Sequence, residues 1–177
     1  MLTVTSILGN IKKDSFLNQK YEEYFNKNLV ETVLIHRSES EKMRMRKKST
    51  KDTDLGIILS SRTPLRDQDV IFLDDTKMIL INIIPELVAI LNIKKDSSSD
   101  EEKNYLDFLN VGIKIGHTIG NLHRPLKLEK DKIVFPIQTL DEIELFKKFL
   151  ADLGDRFILT SDNIVFEPDH GFDIHEH

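Results

Sequence analysis

The sequence predicts an α+β protein in two parts, and three observations carry that prediction. Short runs rich in Val, Ile, Leu and Thr fill the first half, separated by turn residues. In the second half the apolar period lengthens from two to about 3.6 in two places. The elements there follow the order β, α, β, β, α, β, the split-βαβ or ferredoxin-like pattern. A chain of 177 residues, 40% hydrophobic, can form one larger domain or two small ones. The change of pattern favours two. Residues 1–84 are expected to form a small β-sandwich or barrel, 85–167 a ferredoxin-like domain, and 168–177 a flexible tail carrying histidines.

Taken in order, strands are expected over Leu2 to Leu8, Leu29 to Ile35, Gly56 to Leu59, Val70 to Leu73 and Met78 to Ile84. Gly9-Asn10, Thr63-Pro64 and Asp74-Asp75 supply the turns between them. Residues 14–28 are polar and fit a helical turn or a loop equally well. Leu87 to Ile93 reads as a strand, followed by the polar stretch 94–100. Ser99 with Glu102 makes a capping box for a helix whose apolar face carries Tyr105, Phe108, Leu109, Gly112, Gly116 and Ile119. Gly120-Asn121 should stop that helix, because both residues tolerate the left-handed conformation. Leu126 to Glu129 and Lys132 to Phe135 flank Lys130-Asp131 as a hairpin. Thr139 with Glu142 forms a second capping box, opening a helix through Leu140, Ile143, Phe146, Leu150 and Leu153 that ends at Gly154. Phe157 to Thr160 and Ile164 to Phe166 make a last strand or a short pair.

Composition narrows the chemistry. The net charge is −5, from 25 basic and 30 acidic side chains, a poor default for phosphate neutralisation. The absence of cysteine removes disulfides, zinc-thiolate sites and thiol nucleophiles together. The N-terminus lacks a basic segment followed by a long apolar core. The most apolar stretch, Met78 to Ile93, falls short of the ~20 residues a spanning helix needs. A soluble, cytoplasmic protein with no membrane contact is the simplest expectation. No phosphate-binding glycine loop, Gly-x-Ser-x-Gly elbow or His-Glu-x-x-His motif is present, so no enzyme is expected.

Histidine carries what remains. His123 stands just after the expected helix stop, where the negative end of the helix dipole suits a cation. It fits either a metal ligand or a C-capping residue that hydrogen-bonds the last carbonyls. One imidazole cannot hold a metal tightly, but a twofold dimer would bring two copies together. His170, His175 and His177 lie in the last eight residues, with Asp169, Asp173 and Glu176 among them. His117 reads as a surface residue and His36 has no assigned role. The basic run Lys42 to Lys48 permits a strand with Arg44 and Arg46 on one face. It fits a solvated edge strand, or an acidic or nucleic-acid partner bound by a ferredoxin-like module.

Gly120-Asn121-Leu122-His123-Arg124-Pro125 resembles the signature of the UreE-type urease accessory proteins. So, in order, do Leu2 to Gly9, Asp54-Leu55-Gly56-Ile57, Leu65 to Val70, and Phe166-Glu167-Pro168 with a histidine-bearing tail. The resemblance implies a nickel metallochaperone for urease active-site assembly, not an enzyme. It implies a peptide-binding-like N-terminal domain and a homodimer formed through the C-terminal domains. His123 of each subunit would share Ni²⁺, completed by His170, His175 or His177, with Zn²⁺ or Cu²⁺ as substitutes. The implied partners are the urease apoprotein and the other accessory proteins, including the GTPase, with no nucleic acid and no membrane. Gln68 and Thr53 stand where the family pattern usually has glycine. The stretch Ile137-Gln138-Thr139 lacks histidines that some members carry there.

Overall fold

A computed structural model describes the backbone of residues 1–60, 63–94, 101–130 and 132–168. The chain divides into two compact units, Met1–Ile84 and Pro85–His177.

The first unit holds two sheets and one long helix. Strands β1 (Leu2–Val4), β4 (Arg44–Lys48) and β5 (Asp54–Ile58) form a three-stranded sheet in the order β1-β5-β4. Strands β2 (Gly9–Asn10), β3 (Val30–Ile35), β6 (Asp69–Leu73) and β7 (Met78–Ile83) form a second sheet in the order β2-β6-β7-β3. Its central strand β7 is buried along almost its whole length. Met78 and Leu80 face helix α1 (Ser15–Asn26) and join Ile11, Leu17, Tyr24 and Val70 in one cluster. On the alternate residues, Ile79, Ile81 and Ile83 are buried as well, as are Val33 and Ile35 of β3. A strand buried on both faces needs an unbroken apolar run, which Met78–Ile83 supplies apart from Asn82.

The undecided stretch 14–28 is helical. Asp14 Oδ1 accepts the backbone N–H of Phe16 at 2.9 Å and of Leu17 at 3.1 Å, a side-chain N-cap. The expected strand Leu2 to Leu8 ends instead at Val4, and Gly9-Asn10 is not a turn but pairs with β6. Gly9 is irreplaceable there: its φ is +152°, and a Cβ would meet Leu17 Cδ1 at 2.6 Å.

The second unit packs two helices with a four-stranded antiparallel sheet. Strands β8 (Glu86–Ile93), β9 (Lys127–Glu129), β10 (Lys132–Pro136) and β11 (Phe157–Ile164) lie in the order β11-β8-β10-β9. Helix α2 (Glu101–Asn121) and helix α3 (Asp141–Phe149) bury Val111, Ile115, Ile119 and Phe146 against Ala89, Leu91, Phe135 and Leu159. The last strand is single, and Lys130 turns the β9–β10 hairpin with φ 53°.

Three expectations for this unit need correction or lie out of view. The Ser99–Glu102 box falls outside the described residues. The Thr139–Glu142 box is half formed: Glu142 Oε1 accepts the N–H groups of Gln138 at 2.6 Å and Thr139 at 3.3 Å, while Leu140 is the N-cap residue and no side chain caps there. The buried face of α2 is Val111, Ile115 and Ile119, so the expected face is mostly outward. Tyr105 and Leu109 of that expected face are exposed, and Phe108 is only partly covered.

Candidate metal centre

The helix stops at Asn121, within the expected Gly120-Asn121 pair, and the left-handed position falls two residues later, on His123, with φ 51°. The closing bonds are backbone bonds. Leu122 N–H reaches Ile119 O at 3.1 Å, His123 N–H reaches Gly120 O at 2.9 Å, and Arg124 N–H reaches Ile119 O at 3.5 Å. The last two are the paired bonds of a Schellman motif, with His123 where glycine usually sits. A left-handed non-glycine residue costs roughly 1–2 kcal/mol, although histidine visits this region more readily than most. Because main-chain amides close the helix, the imidazole is not needed as a cap. Its ring is exposed, and among the described residues it makes no hydrogen bond. The backbone closure leaves no capping role for the ring, which is exposed beside the negative end of α2.

The segment after His123 is fastened to the rest of its unit. Arg124 Nη2 lies 2.6 Å from Glu142 Oε2, and Nη1 donates to Pro136 O at 3.3 Å. Both side chains are largely covered. His117 is exposed one turn before the end of α2, where Asn121 Nδ2 approaches its Nδ1 at 3.2 Å. His170, His175 and His177 lie outside the described residues. Among the described residues no three histidine, cysteine, aspartate or glutamate side chains cluster closely enough to hold a metal ion. A metal held at His123 would need its further ligands from outside the described residues or from another copy of the chain.

Two features escaped the sequence reading. One is the Arg124–Glu142 pair, eighteen residues apart, for which no local pattern exists. The other is an apolar stripe on the outer side of α2. Tyr105 (66% exposed), Leu109 (43%) and Ile113 (60%) line it. A Cβ added at Gly112 or Gly116 beside them would meet nothing. The signal was available: Val111, Ile115 and Ile119 form a second apolar row, and a helix with two apolar rows can bury only one against its own sheet.

The basic run is an edge strand, β4, held by its own acids. Arg46 forks onto Asp54 with bonds of 2.8 and 3.0 Å, Lys47 reaches Glu39 at 2.8 Å, and Lys48 reaches Asp52 at 3.2 Å. The Arg46 bond holds the Asp54 carboxyl below its ordinary range, and the Lys47 bond does the same for Glu39. The first unit also has a cleft of about 270 Å³ lined by Thr5, Ser6, Ile7, Leu59, Ser60 and Thr63. Among the described residues no helix is long and apolar enough to cross a membrane.

Residues 4–83 match the family model described as UreE urease accessory protein, N-terminal domain. The chain is also similar to proteins named urease accessory protein UreE. Those of Yersinia pestis (strain Pestoides F) and Yersinia pseudotuberculosis serotype O:1b (strain IP 31758) are each 28% identical over 141 residues. The matched region covers 77% of this chain and 57% of each relative, so the chain spans little more than half the length of these curated relatives.

Proposed function

We propose, from the match of residues 4–83 to the UreE N-terminal domain model and the similarity to urease accessory proteins, that the chain is a non-enzymatic nickel carrier for urease maturation. In this reading Ni²⁺ is cargo. It is held between the His123 side chains of two chains and completed by His170, His175 or His177. The observation that carries the reading is the idle imidazole of His123. It occupies a strained backbone position, at the end of a helix that closes without it.

Supporting features come from the second unit. Its β, α, β, β, α, β order and its fourth-first-third-second strand order support the ferredoxin-like reading. The outward stripe of Tyr105, Leu109 and Ile113 supports a homodimer through this unit, because exposed apolar surface of this kind favours association. Neutral imidazole suits nickel, zinc and copper alike, so all three should enter, and raw affinity would favour copper. The urease apoprotein and the other accessory proteins, including the GTPase, are the partners that the family reading proposes, and the cytoplasm is the compartment. The peptide-binding-like role of the first unit belongs to the same proposal. The nucleic-acid alternative has less support, since Arg46, Lys47 and Lys48 are each engaged by a carboxylate.

Nickel titration calorimetry on the wild type and His123→Gly, with the mass of each determined in solution, tests the proposal. The expected result is a dimer in both cases and loss of the tightest site in the variant. A variant that keeps that site overturns the central role of His123.

A further inference from the structure

We infer that Arg124 is a positioning residue for the proposed nickel site, holding His123 in place through its ion pair with Glu142. The inference rests on the reading of His123 as a ligand, and it gives a role to Arg124, which stands next to it in the chain.

The argument starts from what leaves the core and what returns to it. Ile119 is fully buried, and Leu126 packs against the same cluster. Between them the chain must leave α2, turn through a left-handed residue and pass Pro125, which has no N–H to give. Across this span Arg124 supplies the side-chain bonds to other elements among the described residues. Its guanidinium bridges the end of β10, at Pro136 O, and the first turn of α3, at Glu142. A charge-assisted bond of 2.6 Å with a second bond beside it fixes direction as well as distance, which a lysine ammonium would not.

The dependence runs one way. Glu142 Oε1 is already satisfied by the Gln138 and Thr139 amides, and the carboxylate sits in the favourable field of the α3 N-terminus. The start of α3 therefore survives without Arg124, whereas the His123 segment loses its tether. A ligand shared across a twofold axis is sensitive to such a loss, because any extra freedom enters twice, once from each chain. Residues that orient a metal ligand from behind typically change affinity by about 10- to 100-fold.

The test uses the full-length protein and Ni²⁺ alone. Arg124→Met keeps the aliphatic stem and removes the charge. Glu142→Gln and the double variant complete a cycle, with His123→Gly as reference. Arg124→Met is expected to weaken the tightest nickel site by about tenfold or more, with dimer mass unchanged and the fold retained. The double variant should be no weaker than Arg124→Met, because the pair acts as a unit. Wild-type nickel binding by Arg124→Met, while His123→Gly loses the site, overturns the positioning role and leaves the carrier function standing. Losses that add across the cycle, or loss of the dimer or fold in Arg124→Met, overturn it equally. Retention of the tightest site by His123→Gly overturns the carrier reading itself.

Discussion

Gln68 donates its side-chain amide to Asn82 Oδ1 at 2.9 Å while its own backbone is held at φ 67°. The position where the family pattern usually has glycine thus keeps the left-handed turn, with a glutamine bonded to the next strand. Gln68→Gly would relieve strain of roughly 1–2 kcal/mol and lose a hydrogen bond of about 0.5–1.5 kcal/mol. Urea unfolding should therefore place this variant within about 1 kcal/mol of wild type. A β-branched residue tolerates positive φ worst, so Gln68→Val should destabilise by about 2 kcal/mol or more. Equal stabilities for the two variants would refute the turn argument.

The same physics separates fold from function at His123. Glycine suits the left-handed position, so His123→Gly should match or exceed wild-type stability by up to about 1 kcal/mol. Alanine keeps the strain, and His123→Ala should melt below His123→Gly. Differential scanning calorimetry on both reads this directly. A glycine variant that melts well below wild type would mean that the ring supports the fold after all.

The outer stripe of α2 makes a prediction about assembly. Leu109→Lys and Ile113→Lys change exposed positions, so each chain should remain folded. A buried lysine is unwelcome in an apolar interface, so the sedimentation mass should fall toward that of one chain. The tightest nickel site should fall with it. Dimers of unchanged mass in both variants would place the interface elsewhere.

Glu31 makes the first unit sensitive to acid. Burial alone pushes its pKa up from the ordinary 4.5, but hydrogen bonds from Ser49 and Thr53 and the charge of Lys77 outweigh this and hold it lower. Its contribution is therefore full above the unfolded value and is lost as pH falls through the folded one. In urea titrations, Glu31→Gln should be less stable than wild type at neutral pH and should lose less stability than wild type between about pH 6 and about pH 3, across the glutamate range. Parallel pH profiles for the two proteins would remove Glu31 from the account.

Much of this fold was legible because short runs rich in Val, Ile and Leu, bounded by turn residues, declare strands. Val30–Ile35, Asp69–Leu73 and Met78–Ile83 lie within a residue of their expected places. Helix α1 was not legible, since Phe16 and Phe25 are exposed and its burial rests on Leu17 and Tyr24. Position 123 stands out in the sequence for its chemistry, while its left-handed backbone does not. Turn rules send the left-handed residue to glycine or asparagine, and both Gly120 and Asn121 were at hand. The helix does stop at Asn121, but the hydrogen bonds of its last turn place the left-handed residue at 123, which no local rule weighs. The Arg124–Glu142 pair depends on a meeting of β10, α3 and the segment after α2, and such meetings leave no mark in local sequence.

The Schellman closure of α2 also bears on how such a protein could change over generations. The main chain alone shuts the helix, so the side chain at 123 is under no structural obligation beyond tolerating positive φ. Aspartate and asparagine share that tolerance with histidine. A single codon change there could trade a nitrogen donor for an oxygen donor, moving the preference from nickel and copper toward harder ions. The scaffold would register no difference. If the site is as proposed, metal choice would be an interchangeable fitting, mounted at the end of a helix that evolution can leave alone.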